Sequence, residues 1–219
     1  MKRTAVLDLD SVLAGLTIGT GAAGSIGPDR VRQSLLDATS ALLAERGAGG
    51  WSVEDAAARA GVGRATVYRR FTGREQLIAE TIRRDARRFF AAISDSVASV
   101  PGLEDKVVAG FATGVELARH SAIGNLLRRD PAAALSLLSS APLLAYATRA
   151  LTDLYDNVTA SWPHRAAPAR VEAVAEVLVR LGLSFLLVPG PLDKEPERAR
   201  AHLDAVLRPL LAGGSSPPR

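Results

Sequence analysis

Apolar residues recur at helical spacing along most of the chain. After Gly27 they fall three and four residues apart, which is the period of an amphipathic helix. This first stripe consists of Val31, Leu35, Ala38, Leu42 and Leu43. Proline is favoured at a helix start and glycine just beyond a helix end. The pattern therefore predicts a first helix that opens at Pro28 and ends at Arg46-Gly47.

Shorter segments follow this helix. Ser52 can cap a second helix, because its hydroxyl can accept a hydrogen bond from a backbone N–H near Asp55. A third helix is predicted over about 64–70 and a longer fourth helix from 74 to about 97. Pro101-Gly102 then interrupts the pattern.

The rest of the chain keeps the helical pattern. The predicted segments are 103–119, 121–128, 131–160 with a kink near Pro142, 168–188 and 196–212. No stretch shows sustained strand alternation bounded by hairpin turns. The sequence thus predicts an all-α fold, with an N-terminal domain over 27–75 and a larger helical domain over 76–212.

The two ends of the chain lack this pattern. An apolar stretch rich in Gly and Ala near the start has the look of a signal peptide, but Asp8 and Asp10 interrupt it. Residues 1–26 are predicted to form a poorly ordered or partly helical extension, with a misassigned start codon as an open alternative. Residues 213–219, GGSSPPR, are predicted to be disordered. No apolar run reaches the roughly 18 residues of a membrane span, so we expect a cytoplasmic protein.

Small residues between the second and third helices predict a helix-turn-helix. Ala57 is small enough to lie where the two helices cross, and Gly61 can adopt the left-handed conformation that a sharp turn requires. Val67, six residues further on, is placed to point back into the shared core. In such a module the second helix lies in the major groove of DNA.

The distribution of charge favours the same interpretation. Residues 27–90 contain 12 arginines against 8 acidic residues, whereas residues 1–26 and 91–219 are each balanced. A local basic excess is typical of a surface that binds a polyanion, here double-stranded DNA. A merely solvated basic face is the alternative.

The polar residues of the module divide into two predicted groups. Contacts to base edges are predicted for Arg64, Ala65, Thr66 and Arg69. Contacts to phosphates are predicted for Ser52, Tyr68, Arg70 and Arg74. Alternatively, Tyr68 packs the edge of the module and the last two arginines are solvated.

The segment resembles the DNA-binding domain of the tetracycline-repressor (TetR) family. The family pattern is similar to T-x-x-x-I-A-x-x-A-G-V-S-x-G-T-[LVI]-Y-x-[HY]-F-x-x-K-x-x-L. Ser52 stands here for the first Thr and Ala56-Ala57 for Ile-Ala, and the residues that also fit are Ala60, Gly61, Val62, Thr66, Val67, Tyr68, Phe71, Glu75 and Leu77. Gly63, Arg70 and Arg74 replace the usual Ser, His or Tyr, and Lys. The resemblance covers residues 29–77, about a quarter of the chain.

This resemblance implies an all-α homodimer with a ligand pocket in its C-terminal domain and a dimer interface on its last two helices. Two apolar stripes fit that interface: Val171, Val174, Leu178, Leu181 and Phe185, and then Leu203, Val206, Leu207 and Leu210. Stripes that face only the protomer's own core are the alternative. Candidate pocket residues are Phe89, Phe90, Phe111, Leu117, Leu138, Leu144, Tyr155 and Trp162. Polar groups are few among them, which favours a mostly apolar or aromatic ligand.

The expected function is therefore that of a homodimeric repressor, which a small, mostly apolar effector releases from a palindromic operator. A DNA-binding regulator without an effector, whose C-terminal domain serves dimerisation or protein contacts, is the alternative. An enzyme on the C-terminal helices is disfavoured. His120, His164 and His202 lack metal-ligand spacing, cysteine is absent, and no catalytic or dinucleotide motif is present. No cofactor and no metal are expected.

Overall fold

The computed structural model describes residues 29–47, 49–121, 124–125, 128, 131–132, 141–160, 165–188, 190 and 196–212. This part of the chain is helical and contains no strand, in agreement with the predicted all-α class. The helices are α1 (Arg30–Arg46), α2 (Val53–Arg59), α3 (Arg64–Tyr68), α4 (Arg74–Val97), α5 (Leu103–His120), α6 (Ala141–Val158), α7 (Pro168–Leu187) and α8 (Pro196–Ala212).

The first helix begins two residues later than the sequence predicts. The Asp29 carboxylate accepts a hydrogen bond from the Arg32 N–H (3.1 Å), which makes Asp29 the N-cap and Arg30 the first helical residue. Pro28 lies outside the described residues. At the other end Gly47 has a φ of 72° and donates its N–H to the Leu43 carbonyl, so the predicted glycine stop is confirmed.

The C-terminal helices agree with the predicted segments except in the middle of the chain. The described helix α6 begins at Ala141, with Pro142 as its second residue, and residues 133–140, on the other side of the predicted kink, lie outside the described residues. The predicted helix over 121–128 and the first part of 131–160 fall largely outside the described residues. The predictions for residues 1–26 and 213–219 fall outside them entirely.

The chain divides into two compact units. One contains the described residues up to Arg87 together with those of His120–Leu143, and the other contains Arg88–Arg119 and the described residues from Leu144 onward. The first half of α4 thus belongs to one unit and its second half to the other.

The N-terminal unit has a closed apolar core built by α1 to α4. Its buried members are Leu35, Leu36, Leu42, Leu43, Trp51, Val53, Ala56, Ala57, Val67, Phe71, Leu77, Ile78 and Ala79. Polar contacts also join α1 to α4. Arg84, which is buried, donates to Asp37 (2.7 Å) and Asp85 (2.8 Å), and the Ser40 hydroxyl donates to Asp85 (2.7 Å). Helix α4 therefore forms part of the same packed unit as α1.

Within the C-terminal unit, α5 packs closely against the second half of α4. A Cβ on Gly110 would lie 3.3 Å from Ile93 and Val97, and one on Gly114 would lie 3.1 Å from Ile93. Lys106 donates hydrogen bonds from its ammonium group to the carbonyl oxygens of Val97 (2.5 Å), the last residue of α4, and Ala98 (3.1 Å). The end of α4 is thus held by a side chain of the next helix.

A second apolar cluster joins α5, α7 and α8. Its buried members are Val108, Leu203 and Leu207, packed by Val107, Phe111, Ala112, Leu178, Leu181 and Phe185. Among the described residues, no helix is long and apolar enough to cross a membrane.

Candidate nucleic-acid interface

Local backbone chemistry fixes the turn between α2 and α3. The Ser52 hydroxyl accepts from the Asp55 N–H (3.2 Å), and the Asp55 carboxylate accepts from the Ser52 N–H (2.7 Å), which forms a capping box at the start of α2. These donors hold the pKa of Asp55 below its ordinary value, the backbone N–H of Ser52 having the largest effect. The predicted Ser52 cap is confirmed.

Helix α2 ends in a Schellman motif, as its sequence favours. The Val62 N–H donates to the Ala57 carbonyl (3.0 Å) and the Gly61 N–H donates to the Ala58 carbonyl (3.2 Å). Gly61 has a φ of 70°, a conformation that costs residues with a Cβ about 1–2 kcal/mol. The predicted left-handed glycine is confirmed, and it lets the chain reverse within a few residues.

Helix α3 presents one face to the core and the other to solvent. Val67 is buried among the core residues, as is Ala57 on α2, so the predicted seam between the two helices is confirmed. Arg64, Ala65, Tyr68 and Arg69 are exposed, and Thr66 is half-buried. Gly63 caps α3 without any side-chain hydrogen bond, as the substitution of the usual hydroxyl residue implies. The outward face is therefore available to a groove.

Arg64 is held by two contacts. Its Nε lies 2.9 Å from a carboxylate oxygen of Glu54, and its guanidinium carbon lies 5.4 Å from the ring centroid of Tyr68. Arg69, one turn along, donates to the Thr66 hydroxyl (3.1 Å). The side chains predicted to meet bases are thus constrained before DNA binds.

Arg70 is paired with the cap of α1. Its Nε donates to the Asp29 carboxylate at 2.9 Å, and this contact is the main reason that the pKa of Asp29 is lowered. Asp29 therefore caps α1 and at the same time holds Arg70, two residues beyond the end of α3.

Arg74 lies against Trp51. Its guanidinium carbon is 4.5 Å from the indole centroid, and burial lowers the pKa of Arg74. Trp51 itself is only 6% exposed, and its Nε1 makes no hydrogen bond within the described part of the chain. Residue type and spacing predict no contact at this site for Trp51 or Asp29.

Comparisons with known proteins agree with this geometry. Residues 35–81 match the family model described as bacterial regulatory proteins, tetR family. Two uncharacterized HTH-type transcriptional regulators, from two strains of Mycobacterium tuberculosis, are 26% identical over 168 residues, which is 75% of this chain and 78% of theirs. The crystal structure of the TetR family repressor AlkX from Dietzia sp. covers 87% of this chain and 98% of its own, at 25% identity and a TM-score of 0.63.

Residues 35–81 of this chain thus match the DNA-binding domain of the tetR family. A TetR-family regulator from Pectobacterium atrosepticum shares the fold, with a TM-score of 0.58 at 20% identity over 87% of this chain and 97% of its own. The curated relatives and these solved structures are transcriptional regulators, and the matched segment of this chain is the helix-turn-helix described above. Among its described residues, no group of three His, Asp or Glu side chains could hold a metal ion.

The candidate pocket residues do not all come together. Phe89 and Phe90 meet edge to face (5.2 Å between centroids), and Tyr146 lies 6.3 Å from Phe90. Phe111 instead packs against Phe185 (5.9 Å) in the α5–α7–α8 cluster. The Tyr155 hydroxyl accepts from the Ala166 N–H (2.8 Å). Leu117 and Leu144 are half-buried, whereas Leu138 and Trp162 lie outside the described residues.

The predicted dimer residues occupy two different environments. Leu178, Leu181, Phe185, Leu203 and Leu207 belong to the protomer's own cluster, which is the alternative that the stripe pattern leaves open. Val171 and Val174 are half-buried, and the side chain of Leu210 is not described. Among the side chains of α7 and α8 that the structure describes, the most exposed large apolar ones are Val177 (47%) and Val206 (40%). Of these two, only Val206 is among the predicted interface residues.

Proposed function

We propose that this chain is a homodimeric TetR-family repressor, and that a small, mostly apolar effector releases it from a palindromic operator. It would act in the cytoplasm, where the operator lies. The observation that carries the DNA-binding part is the outward face of α3. There exposed arginines flank two small residues, on a helix whose inner face is anchored by the buried Val67.

The proposed operator contacts follow from where the side chains lie. Arg64, Ala65, Thr66 and Arg69 on α3 contact base edges. Ser52, Tyr68, Arg70 and Arg74 surround α3 and contact phosphates, which fixes the orientation of the module on the duplex. Arg70 exchanges Asp29 for a phosphate oxygen when it binds.

The shortness of α3 supports a dimer. One short recognition helix reads few base pairs, and a second copy doubles the site and explains a palindrome. Val177 and Val206 supply exposed apolar surface on α7 and α8 for such an interface.

An apolar effector is supported by the aromatic side chains of the C-terminal unit. Phe89, Phe90 and Tyr146 form an aromatic group of half-buried rings. AlkX, which is similar over most of its length, is a repressor implicated in the biodegradation of n-alkanes. Helix α4 runs through both units, so an effector that shifts its second half also biases the module that contains its first half. DNA and effector then oppose one another through a reciprocal coupling free energy.

The operator can be found without knowledge of the gene it controls. The purified full chain is incubated with a pool of random duplexes, and the bound fraction is sequenced after several rounds. We expect a motif with two inverted half-sites, bound by two copies of the chain as measured by mass from light scattering. A motif without symmetry, bound by one copy, would refute the homodimeric repressor.

The effector part is tested separately. Medium-chain n-alkanes and the corresponding fatty acids are added to the complex with the selected duplex, and release is followed by fluorescence anisotropy. Release by one of these classes supports an apolar effector. Native mass spectrometry that finds no bound compound, together with no release, favours the regulator without an effector.

A further inference from the structure

The contact between Glu54 and Arg64 joins the two helices of the helix-turn-helix outside their apolar seam. Arg64 is the first residue of α3 and Glu54 lies in the first turn of α2. The carboxylate meets Nε at 2.9 Å, and the Tyr68 ring lies beneath the guanidinium. We propose that Glu54 is a positioning residue for operator recognition, which aims Arg64 at a guanine in the major groove. The inference rests on the proposed DNA-reading role of α3.

The geometry of a guanidinium explains how this works. Its donors form a rigid planar fork, and Nε belongs to the side edge. A carboxylate at Nε leaves the end-on edge, formed by the two terminal nitrogens, to donate to O6 and N7 of guanine. The Tyr68 ring fixes the plane of the fork through its face. Two constraints thus set both the direction and the tilt of Arg64.

Fold stability does not account for this ion pair. The Arg64 side chain is 65% exposed and that of Glu54 51% exposed, and pairs in such surroundings contribute little because water screens them. A carboxylate near DNA also repels phosphates, which weakens binding to every sequence. A residue that lowers general affinity and adds little stability is best explained by selectivity, because the useful quantity is the ratio of specific to non-specific binding.

Loss of Glu54 has a defined consequence. Arg64 then samples many rotamers and pairs with whichever phosphate lies nearby. Binding to random duplex becomes tighter, and the preference for guanine at one position of each half-site falls. A residue that only stabilised α2 through the helix dipole would change melting temperature without changing base preference.

The test is a double-mutant cycle, in which the affinity for DNA is measured for protein variants and for duplexes with a single modified base. The duplex is the operator selected from the random pool, and each guanine of a half-site is replaced in turn by 7-deazaguanine, which lacks the N7 acceptor. The guanine read by Arg64 is the one whose replacement weakens the native protein but not Arg64→Ala. At that position we expect the native protein to lose about 5- to 150-fold in affinity, and Glu54→Ala to lose far less. Glu54→Gln, whose amide oxygen still accepts from Nε, should fall between them.

Glu45→Ala is the matched control. Glu45 pairs with Arg59 in the same module, at 2.6 Å and with similar exposure, but not with a residue predicted to touch DNA. The Glu45→Ala variant loses the same negative charge as Glu54→Ala. Its affinity should still fall as much as that of the native protein when 7-deazaguanine replaces the guanine read by Arg64. Melting curves confirm that each variant is folded.

Three outcomes decide the matter. If Glu54→Ala keeps the native sensitivity at the Arg64 position, Glu54 does not position Arg64. If no guanine distinguishes the native protein from Arg64→Ala, Arg64 does not read guanine and the proposal is wrong, although selective operator binding would stand. If the native protein selects no duplex at all, the proposed function itself fails.

Discussion

The two compact units differ in how completely they bury their apolar side chains. In the N-terminal unit, Leu35, Val67 and Phe71 are almost inaccessible to solvent. In the C-terminal unit the aromatic rings of Phe89 and Phe90 are only half-buried. The N-terminal unit therefore completes its apolar core within a single chain. The C-terminal unit keeps apolar surface that an effector or a second protomer can cover. The module that we propose to read DNA thus has a buried core of its own, whereas the unit that we propose to take up an effector has half-buried aromatic rings.

The largest expected difference is in the free energy of unfolding when one phenylalanine in each unit is replaced by alanine. Phe71→Ala empties a buried site and should lower the free energy of unfolding by about 3–5 kcal/mol. Phe90→Ala removes a half-buried ring, and we expect a loss of about 1–2 kcal/mol. Denaturant unfolding followed by circular dichroism measures both. Equal losses would show that the two units are packed alike and would remove the contrast.

Two glycines with positive φ give a smaller, matched effect. Gly61 (φ 70°) and Gly102 (φ 74°) have no atoms near the position of a Cβ, so alanine adds backbone strain rather than a clash. Each substitution should cost about 1–2 kcal/mol. Only Gly61→Ala should also weaken operator binding, because it alters the turn that sets α3. Equal operator affinity in the two variants would contradict this role of the turn.

The proposed phosphate contacts of the arginines around α3 should appear in the salt dependence of DNA affinity. Arg70→Ala or Arg74→Ala removes a proposed phosphate contact, so the slope of log affinity against log salt should become shallower by about 0.9 in each case. Arg180→Ala in α7, which breaks an exposed pair with Glu176, is the control and should leave the slope unchanged. Anisotropy titrations at several salt concentrations measure the slopes. If both module variants keep the native slope, the phosphate assignment is wrong.

The smallest expected effect is on how the stability of α2 depends on acidic pH. The lowered pKa of Asp55 means that its capping box stabilises the fold above the ordinary carboxyl pKa, and that this contribution is lost as the pH falls below about 4. Asp55→Asn should therefore flatten the acid dependence of hydrogen exchange at the α2 amides. The α8 amides, near Asp204, whose pKa is lowered by Arg208, should keep their own dependence. An unchanged profile in α2 would mean that the box contributes nothing measurable.

The sequence predicts the features that depend on local chemistry. The Ser52 cap, the left-handed Gly61 and the inward Val67 each follow from residue type and spacing over a few positions. The ion pairs of Arg64 and Arg70 do not follow, because their partners Glu54 and Asp29 lie on other helices. Which side chains form these ion pairs depends on the angle at which the helices cross. The spacing of residues along the chain does not determine that crossing angle.

The apolar stripes of α7 and α8 show a different limit. Periodicity identifies a buried face but not the surface that covers it, which can belong to the same protomer or to a partner. Leu203 and Leu207 are covered within the protomer, whereas Val177, outside the stripe, is exposed. The contact with a partner thus stays a prediction, as do the individual DNA contacts.

Lys106 gives α4 a mechanical property that its own sequence does not supply. A helix normally frays at its last turn, where carbonyl oxygens lack intrahelical donors. The Lys106 ammonium binds the carbonyls of Val97 and Ala98, and its charge also complements the negative end of the helix dipole. With that end clamped, the last turn of α4 resists fraying without a glycine to cap it.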